Sequence, residues 1–196
     1  MRKFLLFIMC LVVVTTLLAQ RTIMHCGQLV DVKNLQLLKE MTIVTEGNKI
    51  VEVVKGYKNA AAGEKLIDLK SKTVMPGLID MHVHLESETN PGRYMETFTF
   101  NPADYAYQSV VFAERTLMTG FTAVRDLGGS GVNISLRNAI NKGLIKGPRV
   151  YTAGKSIATT GGHADPTNGY RRDLMGDPGP DAGVVNGADE AAKAVR

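Results

Sequence analysis

Strand and helix patterns alternate after Pro76-Gly77, and this alternation restricts the fold more than any other feature of the sequence. "LIDMHVHL" (78–85) is an apolar run of strand length. "ADYAYQSVVFAERTLMTG" (103–120) sets Ala106, Val110, Ala113 and Leu117 at helical spacing, and Gly120 supplies a stop. "FTAVRDLGG" (121–129) reads as a second strand, 133–142 as a helix ended by Gly143, and "RVYTAG" (149–154) as a third strand. Residues 86–102 and 155–186, rich in Gly, Asp, Asn, Thr and Pro, read as loops. Such alternation predicts an α/β fold, with a parallel sheet and helices packed outside it. "ADEAAKAVR" (188–196) begins one more helix, with Asp189 and Glu190 suited to its first turn. No strand follows it, so the expectation is a fragment of a repeating β/α architecture.

Residues 21–75 have a different character. In "MTIVTEGNKIVEVV" two β-rich runs, 41–46 and 49–54, flank Gly47-Asn48, a two-residue hairpin signal. Further strands are expected at 23–30, 66–69 and 73–74. Nothing here is long enough for a helix, and the segment reads as a small all-β module.

The first twenty residues, "MRKFLLFIMCLVVVTTLLAQ", have a basic start at Arg2 and Lys3, then an apolar run that fades toward Ala19 and Gln20. This is the pattern of a secretory signal peptide, too short for a bilayer span of about 20 apolar residues. The expectation is export to the periplasm or the cell exterior, with no membrane attachment after cleavage. Only Cys26 then remains, which excludes an internal disulfide and suits a small buried strand residue. The whole chain carries a formal net charge of +4. Removing Arg2 and Lys3 with the signal brings it close to neutral. With no basic block and no basic patch interleaved with aromatics, nucleic-acid binding has no support.

The candidate chemistry lies in "GLIDMHVHLE" (77–86). Strand side chains alternate faces, so Asp80, His82 and His84 share one face, while Val83 packs on the other. Two imidazoles two residues apart can close on one ion. His84 lies at the carboxyl end of the strand, where β/α folds place their sites. Asp80 lies one step deeper, placed to accept a ring N–H or to orient a ligand from behind. The other reading of the same residues is a half-buried strand with a solvated polar side. Two phosphate motifs fail. "GGSGVN" (128–133) lacks the third glycine of a dinucleotide loop, and Arg149 stands where a P-loop ending in "GKS" (154–156) needs its first glycine.

"MPGLIDMHVHLE" resembles the opening motif of the metal-dependent amidohydrolase superfamily. "GFTAVRDLGG" (120–129) and "GKSIATTGGHAD" (154–165) resemble later strands of its imidazolonepropionase-like branch, which includes Xaa-Pro dipeptidase-type enzymes. The resemblance implies a TIM-type (β/α)8 barrel whose first three β/α units are residues 76–196. It also implies that residues 21–75 belong to a small β-sandwich completed by the C-terminus. By the same resemblance His82 and His84 are metal ligands, with one or two divalent metals per complete protein and zinc the expected ion. His163 would face the substrate. Arg125 and Asp126, at the end of the second strand, read as a structural ion pair rather than as a substrate contact. The family also uses a lysine, two later histidines and an aspartate. No histidine follows His163, so no catalytic residue is expected within this portion. The function implied is hydrolysis of C–N bonds, in amides, cyclic amides or dipeptides, by metal-activated water. The partner would be a small-molecule or dipeptide substrate, and a homo-oligomer is left open. The rival is an exported non-catalytic β/α binding module with structural histidines.

Overall fold

A computed structural model describes residues 21–196. The expected signal peptide, residues 1–20, lies outside the described residues. The chain divides into two compact units at Pro76/Gly77.

The first unit is one four-stranded sheet. Its strands are β1 (Arg21–Asp31), β2 (Gln36–Glu46), β3 (Lys49–Lys55) and β4 (Lys65–Val74), in the order β3-β2-β1-β4. β1 pairs antiparallel with β2 and parallel with β4, and β2 pairs antiparallel with β3. The β2–β3 hairpin turns at Gly47-Asn48, with Glu46 opposite Lys49 and a φ of 58° at Gly47. A positive φ at the first central residue is what a type II′ turn requires, and glycine takes it without strain. The runs expected at 66–69 and 73–74 are one strand. Its polar centre, Lys70-Ser71-Lys72, bulges opposite Gly27, where the register shifts, and pairing resumes at Thr73. Pairing with β1 on both sides of the bulge joins the two runs across a stretch without apolar alternation. Cys26, Leu29, Met41 and Ile43 form the core of this unit. Cys26 is fully buried, and burial pushes its thiol pKa up, so it is a neutral packing residue.

The second unit is built on a three-stranded parallel sheet of β5 (Leu78–Val83), β6 (Phe121–Asp126) and β7 (Arg149–Thr152), in that order. Between β5 and β6 run α1 (Arg93–Thr99) and α2 (Pro102–Met118), and between β6 and β7 runs α3 (Val132–Asn141). α2 begins with Pro102, and the Asp104 carboxylate accepts the Asn101 N–H at 2.8 Å, satisfying a backbone donor ahead of the helix. Its Ala113 packs with Leu136 of α3 and with Leu85, Val124 and Val150 to form the core. The two expected loops are not wholly irregular. α1 lies in the first, and the second carries α4 (Arg172–Met175) and a 3₁₀ turn at Pro180–Ala182 before α5 (Ala188–Val195). Among the described residues no helix is long and apolar enough to cross a membrane.

Candidate metal centre

β5 is not a regular strand where it carries the histidines. Asp80 lies opposite Val124 and Val83 opposite Asp126, so β5 spends one residue more than β6 over this interval. The extra residue is a bulge at Met81-His82, a device that re-aims side chains near sites. Two side chains serve its backbone. Asp80 Oδ1 accepts the His82 N–H at 3.0 Å, and Arg125 Nε donates to the Met81 carbonyl at 2.8 Å. Asp80 thus holds His82 through the backbone.

The two imidazoles meet despite the bulge. Their ring centroids are 5.5 Å apart with planes inclined at 69°, and both residues are exposed. Two imidazoles bound through Nε2 to one ion, with bonds of about 2.0–2.1 Å and a near-tetrahedral angle, have centroids roughly 5 Å apart. The observed spacing fits a shared ion. Among the described residues no third His, Cys, Asp or Glu joins the pair to complete a metal-holding group.

His84, the first residue past β5, has its Nδ1 2.7 Å from the Gly128 carbonyl oxygen. A carbonyl only accepts, so Nδ1 carries a proton, and in the neutral ring the lone pair is on Nε2. Metal-ligating histidines are commonly fixed in this way. The Gly128 turn is itself tied down. Asp126 Oδ1 accepts the Gly128 N–H at 3.1 Å, and Asp126 Oδ2 accepts the Leu85 N–H at 3.0 Å. Asn133 Nδ2 donates to Asp126 Oδ1 and to the Gly154 carbonyl, each at 2.9 Å. Asp126 and Asn133 are fully buried.

Arg125 and Asp126 do not form the expected ion pair. Adjacent strand residues point to opposite faces. Arg125 is exposed and reaches Met81, whereas Asp126 turns inward to three donors.

Glu86 and Asn133 end two of the quoted stretches with no role expected of them, yet Glu86 explains the failed phosphate loop. Its buried carboxylate accepts the Ser130 N–H through Oε2 and the Asn133 N–H through Oε1, each at 2.7 Å. The amino terminus of α3, an ordinary anion site, is filled by the protein's own carboxylate. A Cβ at Gly129 would lie 2.5 Å from Glu86 Cδ, which is why a glycine is needed there.

His163 is exposed, in the long loop after β7. Buried Asp165, two residues on, organises that loop. Its Oδ2 accepts the Gly161 N–H at 2.7 Å, and its Oδ1 accepts Thr167 Oγ1 and N–H at 2.7 and 2.8 Å. These bonds, the Thr167 hydroxyl first, lower its carboxyl pKa below the ordinary value.

Residues 73–196 match the model of the amidohydrolase family. An ochratoxinase from Aspergillus niger is 28% identical over 161 residues, which cover 79% of this chain and 32% of the ochratoxinase. Among solved structures, a Xaa-Pro dipeptidase with methionine bound in its active site is 45% identical, with a TM-score of 0.83. The match covers 90% of this chain and 43% of the dipeptidase. A prolidase complexed with N-methylphosphonate-L-proline is 31% identical, with a TM-score of 0.67, covering 90% of this chain and 39% of the prolidase. The chain thus spans less than half the length of these relatives.

Proposed function

The chain belongs to the amidohydrolase family, and from that premise we propose that it is the N-terminal portion of an exported, metal-dependent hydrolase of C–N bonds. In this reading residues 76–196 supply the first three β/α units of a (β/α)8 barrel, and residues 21–75 part of a composite β-sandwich. The substrate is a dipeptide or a small amide or cyclic amide, and similarity to a Xaa-Pro dipeptidase favours the dipeptide. His82 and His84 hold a divalent ion, with zinc expected, through their Nε2 atoms. Such an ion supplies Lewis acidity, polarising the scissile carbonyl and making water a nucleophile near neutral pH. Asp80 fixes the backbone of His82, the Gly128 carbonyl orients the His84 ring, and His163 faces the substrate.

The observation that carries this reading is the hydrogen bond between His84 Nδ1 and the Gly128 carbonyl, on a ring whose centroid is 5.5 Å from that of His82. The test is zinc content and hydrolysis of Xaa-Pro dipeptides and cyclic amides by the full gene product and by its His82→Ala/His84→Ala variant. Stoichiometric zinc and activity in the parent, both lost in the variant, support the reading. Undiminished activity in the variant overturns it. The 196-residue chain alone should hold zinc weakly and hydrolyse nothing measurable, because two histidines leave the ion short of its usual four ligands. Export predicts that protein from the native host lacks about the first 20 residues, as N-terminal sequencing would read.

A further inference from the structure

Among the buried polar side chains of the second unit that no step of the chemistry above uses are Glu86, Asp126 and Asn133. They form one connected chain that ends at His84. Glu86 holds the Ser130 and Asn133 N–H groups and so sets the first turn of α3. That turn aims the Asn133 side chain. Its two neighbours, Asp126 Oδ1 and the Gly154 carbonyl, are both acceptors, so the amide NH₂ group must face them. Asp126 then draws together the backbone on either side of the site, the N–H of Leu85 just after His84 and the N–H of Gly128. The Gly128 carbonyl receives His84 Nδ1.

We propose that Asp126, Asn133 and Glu86 are positioning residues, a buried polar chain that places the Gly128 carbonyl and thereby holds His84 in the Nδ1–H tautomer with Nε2 presented beside His82. The proposal rests on the reading of His82 and His84 as metal ligands, but its first consequence does not need the metal. An apolar packing of the same turn would leave the His84 ring free to choose its tautomer. In water the Nε2–H form of imidazole competes with the Nδ1–H form, and the Nε2–H form cannot offer Nε2 to an ion.

The experiment uses the full gene product with ¹⁵N-labelled histidine, stripped of metal, and reads two-bond ¹H–¹⁵N couplings. The His84 signals are assigned by their loss in His84→Gln. The parent should show Nδ1–H at His84. Asp126→Asn puts an amide NH₂ among three donors, and should bring a substantial Nε2–H population at His84 while leaving the His82 signals in place. Zinc affinity should fall about 10- to 100-fold in parallel, the usual loss when the group that orients a ligating histidine is changed. If Asp126→Asn is too unstable for the spectrum, Glu86→Gln, two links from His84, carries the same test with a smaller shift in the same direction. An unchanged His84 tautomer together with unchanged zinc affinity in the folded variants overturns the proposal and leaves the metal reading standing. A parent that shows the tautomer and its dependence on Asp126 but binds no zinc supports the positioning chain and overturns the metal reading.

Discussion

His25 in the β module and His84 in the β/α unit are each tied to a backbone carbonyl, through opposite ring nitrogens. His25 Nε2 lies 2.8 Å from the Lys58 carbonyl, in the segment that follows β3, and its Nδ1 is buried without a partner among the described residues. His84 uses Nδ1 and leaves Nε2 on an exposed ring. The difference extends to the surroundings. In the β module, His25 and its cross-strand neighbour Thr42 secure the chain at 56–58, with Thr42 Oγ1 donating to the Gly56 carbonyl and accepting the Lys58 N–H. In the β/α unit, Glu86, Asp126 and Asp165 accept from backbone donors in loops or at the start of α3, around the carboxyl ends of the strands, and the Asn133 amide donates to Asp126 and to the Gly154 carbonyl. One unit buries polar groups to close a sheet. The other buries them to shape the rim where a site can be built.

The largest expected effect separates chemistry from folding. In the full gene product His82→Ala/His84→Ala should reduce hydrolysis to background. Both rings are exposed in the 196-residue chain, where without metal the same double variant should change stability by no more than about 0.5 kcal/mol in chemical denaturation. Next comes Asp126→Ala, which strands the Leu85 N–H, the Gly128 N–H and the Asn133 amide. At about 1–3 kcal/mol per buried unsatisfied group, the loss should be on the order of 3 kcal/mol or more. Hydrogen exchange should show protection lost around β5, β6 and α3 and retained in β1 and β2. Loss spread evenly over both units would break the comparison.

A matched pair of glycines sharpens it further. A methyl at Gly27 meets the Lys70 carbonyl, which is backbone and cannot yield, whereas a methyl at Gly129 meets the Glu86 carboxylate. Each alanine variant should cost about 1–3 kcal/mol, Gly27→Ala the more. Only Gly129→Ala should be coupled to Glu86→Ala, with a non-additive term of at least about 0.5 kcal/mol in a double-mutant cycle.

The smallest effect is in pH. Asp165 has its folded pKa lowered, so the stability it contributes is complete above the unfolded value of about 3.9 and is lost as pH falls through the folded one. Cys26 has its pKa raised by burial, so stability is lost as pH rises from the unfolded value of about 8.5 through the folded one. Acid should therefore loosen the loop at 159–168 first, and alkali the core around Cys26. Amide exchange on either side of neutrality would check both. An Asp165→Asn variant whose loop no longer responds to acid would confirm the assignment.

Elements whose signals are local were legible in the order of residues. The 3.6-residue spacing of α2, the Gly47-Asn48 hairpin, the strand–helix alternation and the pairing of His82 with His84 follow from periodicity or from neighbouring residues. Tertiary structure alone decided the rest. α1 was illegible because Pro91, Gly92 and the threonines argue against a helix. Contacts with Tyr170, far along the chain, hold it: Tyr94 stacks on Tyr170 at 5.3 Å between ring centroids and Thr97 Oγ1 lies 3.0 Å from the Tyr170 hydroxyl. That 66–69 and 73–74 belong to one strand, β4, depends on their pairing with β1 on both sides of the bulge at Lys70-Ser71-Lys72, to which side-chain patterns are blind. The bulge at Met81-His82 shows only when β6 is laid beside β5. Asp126, Asn133 and Glu86 look like ordinary polar residues in a row of letters, since a buried hydrogen bond is a relation between two places in space. Periodicity records which way a side chain faces; it carries no record of which distant backbone group will be waiting there.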